Sequence, residues 1–533
     1  MRVLSKVLSV RASVIALAVA MAVSGRADVV HAETLADAIT AAYQSNPNIQ
    51  AQRAAMRALD ENYTQARSAY GLQASASVSE NYGYAKNPAT APPFGRPVGL
   101  EATSQSNEIS LGQALYTNGR YAARLAGVEA QIKAARENLR RIEMDLLVRV
   151  TNAYVIVRRD REVLRISLGG EAWLRKQLQD TEDRYSVRQV TLTDVQQAKA
   201  RFAGASTQVA NAQAQLNVTV ANYASLVGHL PDNLEPEPDI DGLPETLDEA
   251  FNQAEQANPS LQSALFTEKA SRSSVAEARA QRLFSVTARV DYRNAPYQPY
   301  DAKIANRSET VNAGITLSQP LFSSGQLNSA VRQSIEENNR DKLLIEDARR
   351  NMVLGVSQYW DQLVAARRSL VTIEDEMKAD TIALYGVREE ERFALRSTIE
   401  VLNAQAELQN AQLNFVRGRA NEYVGRLQLL AQVGTLEVGN LAPGVQPYDP
   451  ERNFKKVRYK GMLPTDLIVQ TLDKISLPME SKKPKAGDTT PIRPPSSEMP
   501  VAPVSADKAP VPQSINDMPA LSDDAPVRTS PKG

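Results

Sequence analysis

Two carboxylates stand at matching places in this 533-residue chain, and they are its first candidates for chemistry. Asp194 follows Thr191 by three positions, and Glu400 follows Ser397 by three. In that spacing an acid satisfies an orphan amide at a helix N-terminus and meets the positive end of the helix dipole. Arg188 and Arg396 precede the two acids closely enough to pair with them. A pair of that kind on a solvated surface is worth under about 1 kcal/mol. Little else offers chemistry. Cysteine is absent, which excludes disulfides, thiolate metal sites, a cysteine nucleophile and a lipidated N-terminal cysteine. Only His31 and His229 supply imidazole, so a Ser-His-Asp triad or a multi-histidine metal centre lacks the residues it needs. No catalytic residue, cofactor or metal is assigned, and the chain is read as a non-enzyme. His229, beside Pro231, is read as closing a helix C-terminus.

The 61 basic and 61 acidic residues balance, and without residues 1–32 the count is 57 against 60. No basic excess remains for nucleic acid. Arg2, Lys6 and Arg11, the apolar run from Ala12 to Val23, and Val30-His31-Ala32 together read as a signal peptide over residues 1–32. Its apolar run is shorter than the roughly 20 residues that span a bilayer as a helix. Such an exported chain is either soluble in the periplasm or enters a membrane as a closed β-barrel.

The elements that must position Asp194 and Glu400 come in duplicate. Glu33-Thr34-Leu35-Ala36-Asp37-Ala38, ending in Asn46-Pro47, returns 212 residues later as Glu245-Thr246-Leu247-Asp248-Glu249-Ala250, ending in Asn258-Pro259. Ile109-Ser110-Leu111-Gly112-Gln113-Ala114-Leu115-Tyr116 with Gly119 returns 206 residues later as Ile315-Thr316-Leu317-Ser318-Gln319-Pro320-Leu321-Phe322 with Gly325. The six-residue difference is expected in the loop between strands, where length changes cost little. Each half predicts a helix broken at Asn-Pro, an alternating β-hairpin (about 72–115 and 284–321), and a long helical arm. Four strands cannot close a barrel alone. If they span a membrane, several copies must pool them.

No proline interrupts Gly119 to about Tyr185 or Gly325 to about Phe393, which at 1.5 Å per residue gives arms of about 100 Å. Gly169-Gly170 marks a candidate kink in the first arm. Turns are expected at about 186–193 and 394–399. The return arm carries a heptad seam of Val195, Ala198, Phe202, Ala205, Val209, Ala212 and Leu216, matched 206 later by Val401, Ala404, Leu408, Ala411 and Phe415. The return arm to Gly228 is shorter than the outgoing one, and the earlier helix from Asn48 to Tyr70 is expected to stack on its end, an arrangement repeated in the second half. Segments 230–246 and 435–470 read as a belt beside the rods. Residues 471–533 hold 12 of the 29 prolines and no Phe, Tyr or Trp, and read as a disordered tail.

In this order and in duplicate, the motifs resemble the TolC family of outer-membrane channel-tunnel proteins across roughly residues 33–440. The resemblance rests on the Leu-x-x-Ala…Asn-Pro openings and on Leu-Gln-Ala-Ser-Ala-Ser-Val after Ala66-Arg67. It rests further on the Leu-x-Gln-x-Leu-[Tyr/Phe]-x-x-Gly junctions and on Thr193-Asp194-Val195-Gln196-Gln197-Ala198 with Glu400-Val401-Leu402-Asn403-Ala404-Gln405. It implies a mainly α chain with a membrane β-barrel. Internally duplicated long-helix hairpins would form an α-barrel, and four β-strands per chain would close as a homotrimer of twelve strands in outer-membrane lipid. The first repeat is then 33–240, the second 241–440, and 441–470 an equatorial-type segment. The implied partners are a periplasmic adaptor and an inner-membrane pump of the RND or ABC type, for drug efflux, type I protein secretion or both.

The resemblance also implies that carboxylates at Asp194 and Glu400 ring the periplasmic entrance, holding it closed and selecting cations; helix capping alone is the competing reading. Two departures stand out. The family's second acidic position falls on Asn403, and its usual turn glycine appears as Arg188, with Arg396 in a shorter second turn beside Phe393. Pairing of Arg188 or Arg396 with Asp194 or Glu400 is the candidate lock. Gln113, Leu115 and Gly119, with Gln319, Leu321 and Gly325, are the strand-to-helix junctions. Tyr82, Tyr84, Tyr116, Tyr292 and Phe322 are either interfacial girdles or ordinary hairpin packing. Two alternatives to a general duct remain: a channel dedicated to one type I protein substrate, and a soluble periplasmic coiled-coil scaffold without a pore.

Overall fold

The computed structural model describes residues 32–86, 99–299, 306–393 and 395–475. The expected signal peptide and nearly all of the expected tail lie outside them. Eleven α-helices, one 3-10 turn (Ser68–Tyr70) and four strands are described. The first repeat holds α1 (Leu35–Ser45), α2 (Pro47–Arg67), β1 (Gln73–Lys86), β2 (Gly99–Tyr116), α3 (Arg120–Ser186) and α4 (Leu192–Val227). The second holds α5 (Leu247–Ala257), α6 (Pro259–Ala280), β3 (Ser285–Pro299), β4 (Asn306–Ser318), α7 (Gln326–Arg392) and α8 (Thr398–Val433). The short helices α9 (Val438–Leu441), α10 (Glu451–Val457) and α11 (Pro464–Lys474) follow.

Both long arms, α3 and α7, are single helices of 67 residues, about 100 Å each. Gly169-Gly170 does not interrupt α3. Gly170 is buried instead, where a Cβ would collide with the side-chain amide of Gln409 on α8. The glycine pair marks a close approach between the two hairpins, which sequence alone does not distinguish from a kink.

The expected seam is fully buried on α8, at Val401, Ala404, Leu408, Ala411 and Phe415, but only in part on α4, where Val195, Ala198, Ala205 and Ala212 are buried and Phe202, Val209 and Leu216 are half-buried. The Asn-Pro steps perform two tasks each. Asn46 Oδ1 accepts from the amides of Asn48 and Ile49, capping α2, while its Nδ2 donates to the Leu226 carbonyl in the last turn of α4 at 3.2 Å. Asn258 repeats this with the amides of Ser260 and Leu261 and the Gln432 carbonyl of α8 at 2.7 Å. One side chain therefore both starts a helix and fixes it end-on to the return arm.

The strands form one antiparallel sheet in the order β1-β2-β3-β4. With Ile109 opposite Ala76 and Tyr292, and Tyr292 opposite Val311, one face carries Ala76, Val78, Ile109, Leu111, Val290 and Ile315. The other carries Ser75, Ser77, Glu108, Ser110, Asp291 and Arg293, since side chains alternate along each strand. Polar links run across the second face, from Ser75 to Ser110 at 2.7 Å and from Arg293 to Glu108 at 3.1 Å.

The second hairpin stops earlier than expected. β4 ends at Ser318, so Gln319 and Leu321 lie beyond it, because Pro320 has no N–H for the ladder. The beginning of the tail is also corrected. Helix α11 runs to Lys474, and Asp473 within it is fully buried.

Candidate functional site

The two ends of the long arms carry the candidate residues. At the first turn, Thr191 and Asp194 form the expected capping box: Asp194 Oδ2 accepts from the Thr191 amide at 2.9 Å, and Thr191 Oγ1 accepts from the Asp194 amide at 3.3 Å. Ser397 and Glu400 form the second box, with Glu400 Oε2 accepting from the Ser397 amide and hydroxyl, both at 2.9 Å.

The arginines divide. Arg396 bridges the second turn, donating to Glu390 at 2.7 Å and to Glu400 at 3.0 Å. The Ser397 donors and Arg396 together hold the Glu400 carboxyl below the ordinary carboxylate range. Arg188 makes no ion pair with Asp194 among the described residues. Its backbone sits at φ +62, the left-handed conformation that glycine adopts freely and other residues adopt at a cost. Phe393 is the C-cap of α7 and is exposed.

Asn403 joins the two hairpins: its Oδ1 accepts from Arg201 on α4 at 3.0 Å. A second tie was not legible in the sequence. Arg184 near the end of α3 pairs with the buried Glu391 of α7 at 2.8 Å, and Thr398 donates to the same carboxylate at 3.3 Å. In the 206 register Arg184 corresponds to Glu390 and not to Glu391, so the duplication carries no trace of it.

The strand-to-helix junctions are unequal. In the first, Gln113 donates to the Tyr70 carbonyl at 3.0 Å, and Leu115 packs beside the cluster of Met56, Tyr63, Tyr70 and Val469. Gly119 starts α3 at φ +79, and its amide donates to Asp473 of α11 at 3.0 Å. Asp473 also accepts from the Thr117 amide at 2.8 Å, the Ala122 amide at 3.3 Å and the Tyr70 hydroxyl at 3.3 Å. In the second junction Gly325 has the same backbone, φ +85. There Gln319 is exposed, and Leu321 and Phe322 are 92% and 88% exposed.

Of the aromatic residues, Tyr82 and Tyr84 are exposed, and Tyr116 packs on Phe284 with ring centres 5.7 Å apart. His229 follows Gly228, the left-handed C-cap of α4, and its Nε2 is hydrogen-bonded to Glu33 at 2.9 Å.

A cavity of about 500 Å³ beside the belt is lined by Arg158, Arg161, Glu237, Glu422 and Arg426 among others. Its cations are engaged. Arg158 pairs with Glu237, Arg161 donates to the Pro231 and Asp232 carbonyls, and Arg426 pairs with Glu422. Among the described residues no cluster of three or more His, Asp or Glu side chains is arranged to hold a metal, and no helix is long and apolar enough to cross a membrane.

The family model for outer membrane efflux proteins matches residues 38–229 and 250–435, one match for each repeat. The outer membrane efflux protein BepC of Brucella suis is 28% identical over 428 residues, 80% of this chain and 91% of BepC. The outer membrane protein TolC of Escherichia coli is 23% identical over 491 residues, 85% of this chain and 95% of TolC. Among solved structures, the CmeC outer membrane channel of Campylobacter jejuni superposes with a TM-score of 0.66 at 14% identity, covering 80% of this chain and 89% of CmeC.

Proposed function

This chain belongs to the outer membrane efflux protein family, and from that premise we propose that three copies assemble into one export duct through the outer membrane and periplasm. The observation that carries the proposal is the sheet. It is apolar on one face and polar on the other, and β1 and β4 are its unpaired edges. Open strand edges are not tolerated in hydrocarbon, so a four-stranded sheet facing lipid must close against other copies. Twelve strands, lipid outside and polar side chains inside, satisfy that requirement. The long arms then continue the lumen away from the membrane as a tube of helices.

The duct is passive. Members of the family are channel proteins, and the drive and selectivity for cargo come from a periplasmic adaptor and an inner-membrane RND or ABC transporter. Drugs and type I protein substrates are both cargo classes for such a duct. At the far tip, Asp194 and Glu400 from three copies surround the entrance. The Arg396 bridge to Glu390 and Glu400 favours the closed turn, and Asn403 weakens the negative ring relative to an acid. The Arg184–Glu391 and Arg201–Asn403 ties hold the two hairpins together, so opening requires their release or their joint movement.

Planar-bilayer conductance of the signal-cleaved protein, with its mass determined in the same detergent, tests the proposal. Discrete, cation-selective steps from a trimer are expected. A monomer that never conducts would remove the duct and leave a coiled-coil scaffold.

A further inference from the structure

Helix α11 has two opposed faces, and among the described residues only one of them is packed against the rest of the chain. Asp466, Val469 and Asp473 point inward and are buried. Leu467, Ile468, Leu472 and Ile475 point outward and are exposed. The segment leading into α11 is basic. Lys456 and Lys460, with Lys474 at the helix end, are exposed and make no ion pair among the described residues. Tyr459 is exposed beside them.

The location of this surface decides what it meets. Gln113 lies opposite Ala288, and Ala288 opposite Ile315, so Gln113 belongs to the apolar face of the sheet. Gln113 donates to the Tyr70 carbonyl, and the Tyr70 hydroxyl donates to Asp473. Leu115, two residues on, packs against the cluster that includes Val469 of α11. Helix α11 therefore hangs under the apolar face, at the end of the strands that runs into the long arms, and not under the polar face.

We infer that α11 and the basic segment before it form a membrane-surface foot, which rests on the anionic, phosphate-bearing lipid headgroups around the base of the barrel. This rests on the reading that the apolar face of the sheet meets lipid. The reasons are continuity and charge. The outward residues of α11 extend the apolar surface of the sheet to the membrane boundary, and three exposed lysines with a tyrosine suit an interface that is apolar below and negatively charged above. Asp473 gives the foot its mechanical consequence: the residue that seats α11 also caps the first turn of α3. Contact with lipid is thereby transmitted to the junction where barrel becomes tunnel.

The absence of cysteine allows a direct test. Ile468→Cys and, separately, Val78→Cys on the apolar face of the sheet are labelled with an environment-sensitive fluorophore in the full-length protein. Each is reconstituted in phosphatidylcholine vesicles with or without phosphatidylglycerol, carrying doxyl-labelled lipid as quencher. The expected result is quenching at both positions, with the Ile468→Cys signal quenched more when phosphatidylglycerol is present. That increment should be lost in a Lys456→Gln/Lys460→Gln/Lys474→Gln background. Quenching at Val78→Cys without quenching at Ile468→Cys overturns the foot while leaving the barrel intact. In that case, protection of Ile468→Cys from aqueous iodide identifies protein as the cover, and quenching by iodide identifies water. No quenching at Val78→Cys overturns the membrane reading itself and the foot with it.

Discussion

Asp473 and Gly119 are separated by 354 residues along the chain and by one 3.0 Å hydrogen bond in the fold. The N-cap of α3 is a glycine and offers no side chain, and Thr117 Oγ1 takes up one amide of the first turn, that of Tyr121 at 3.3 Å. A carboxylate from the far end of the chain supplies what a local Ser or Asp ordinarily would.

Asp473→Ala removes an acceptor shared by the amides of Thr117, Gly119 and Ala122 and the hydroxyls of Thr117 and Tyr70. Buried donors left without a partner cost about 1–3 kcal/mol each. The expected loss in thermal or urea unfolding is at least about 3 kcal/mol, with protease sensitivity appearing around residue 117. A change within about 0.5 kcal/mol, as for an ordinary surface site, would show that the cap is dispensable.

The tip predicts a signed pH response. Glu400 titrates below its ordinary value of 4.5, so its contribution to the second turn is complete above 4.5 and is lost as pH falls through the lowered value. Amide hydrogen exchange at residues 395–400 should be flat from neutral pH down to 4.5, after correction for intrinsic rates, and should accelerate below it. Glu400→Gln should abolish that step. A step that persists in the variant assigns it to another group.

Capping and gating separate by substitution. Asp194→Asn and Glu400→Gln remove charge and keep an acceptor for the cap amide, whereas Asp194→Ala also loses a cap worth about 0.3–1.5 kcal/mol. If the carboxylates select ions, the reversal potential of the Asp194→Asn/Glu400→Gln duct in a salt gradient moves toward zero. An unchanged reversal potential leaves both acids as caps.

If copies pool their strands, the duplication predicts the register between them. Leu111 pairs with Val290 inside the chain. Moving β2 forward by 206 and β3 back by 212 places Leu317 of one copy opposite Val78 of the next. Leu317→Cys combined with Val78→Cys should therefore give a disulfide-linked ladder up to a trimer on oxidation, since facing residues on paired strands lie within bonding reach. Leu317→Cys with Ser77→Cys, which points to the other face, should not. Equal yields from both pairs would reject the register.

Gly434 and Gly228 end the two return arms with φ +92 and +99. A Cβ on Gly434 runs into the backbone carbonyl of Ala257, whereas one on Gly228 meets only the Ser45 hydroxyl at 3.6 Å. Gly228→Ala should cost the left-handed strain alone, about 1–2 kcal/mol. Gly434→Ala should cost clearly more in the same unfolding experiment, because backbone cannot step aside.

Much of this architecture is legible in the sequence, because its signals are local. The seam at Val401, Ala404, Leu408 and Ala411 is a period within one helix, and the capping boxes at Asp194 and Glu400 span four residues each. The Arg396–Glu400 bridge is one helical turn, and duplication displays each signal twice. A register of 206 or 212 also relates the halves without any coordinates. Contacts set by the rotation of one hairpin against the other were not legible. Gly170 meeting Gln409, Arg184 meeting Glu391 and Arg201 meeting Asn403 depend on which face each long helix turns toward its neighbour, and no periodicity within one helix states that. Asp473 was hidden more deeply. It sits at the edge of a proline-rich stretch whose composition describes a chain that buries nothing. Only the folded molecule shows this one carboxylate carried back to the start of α3, where the buried amides of a helix N-terminus, without partners inside the helix, gave it something to bind.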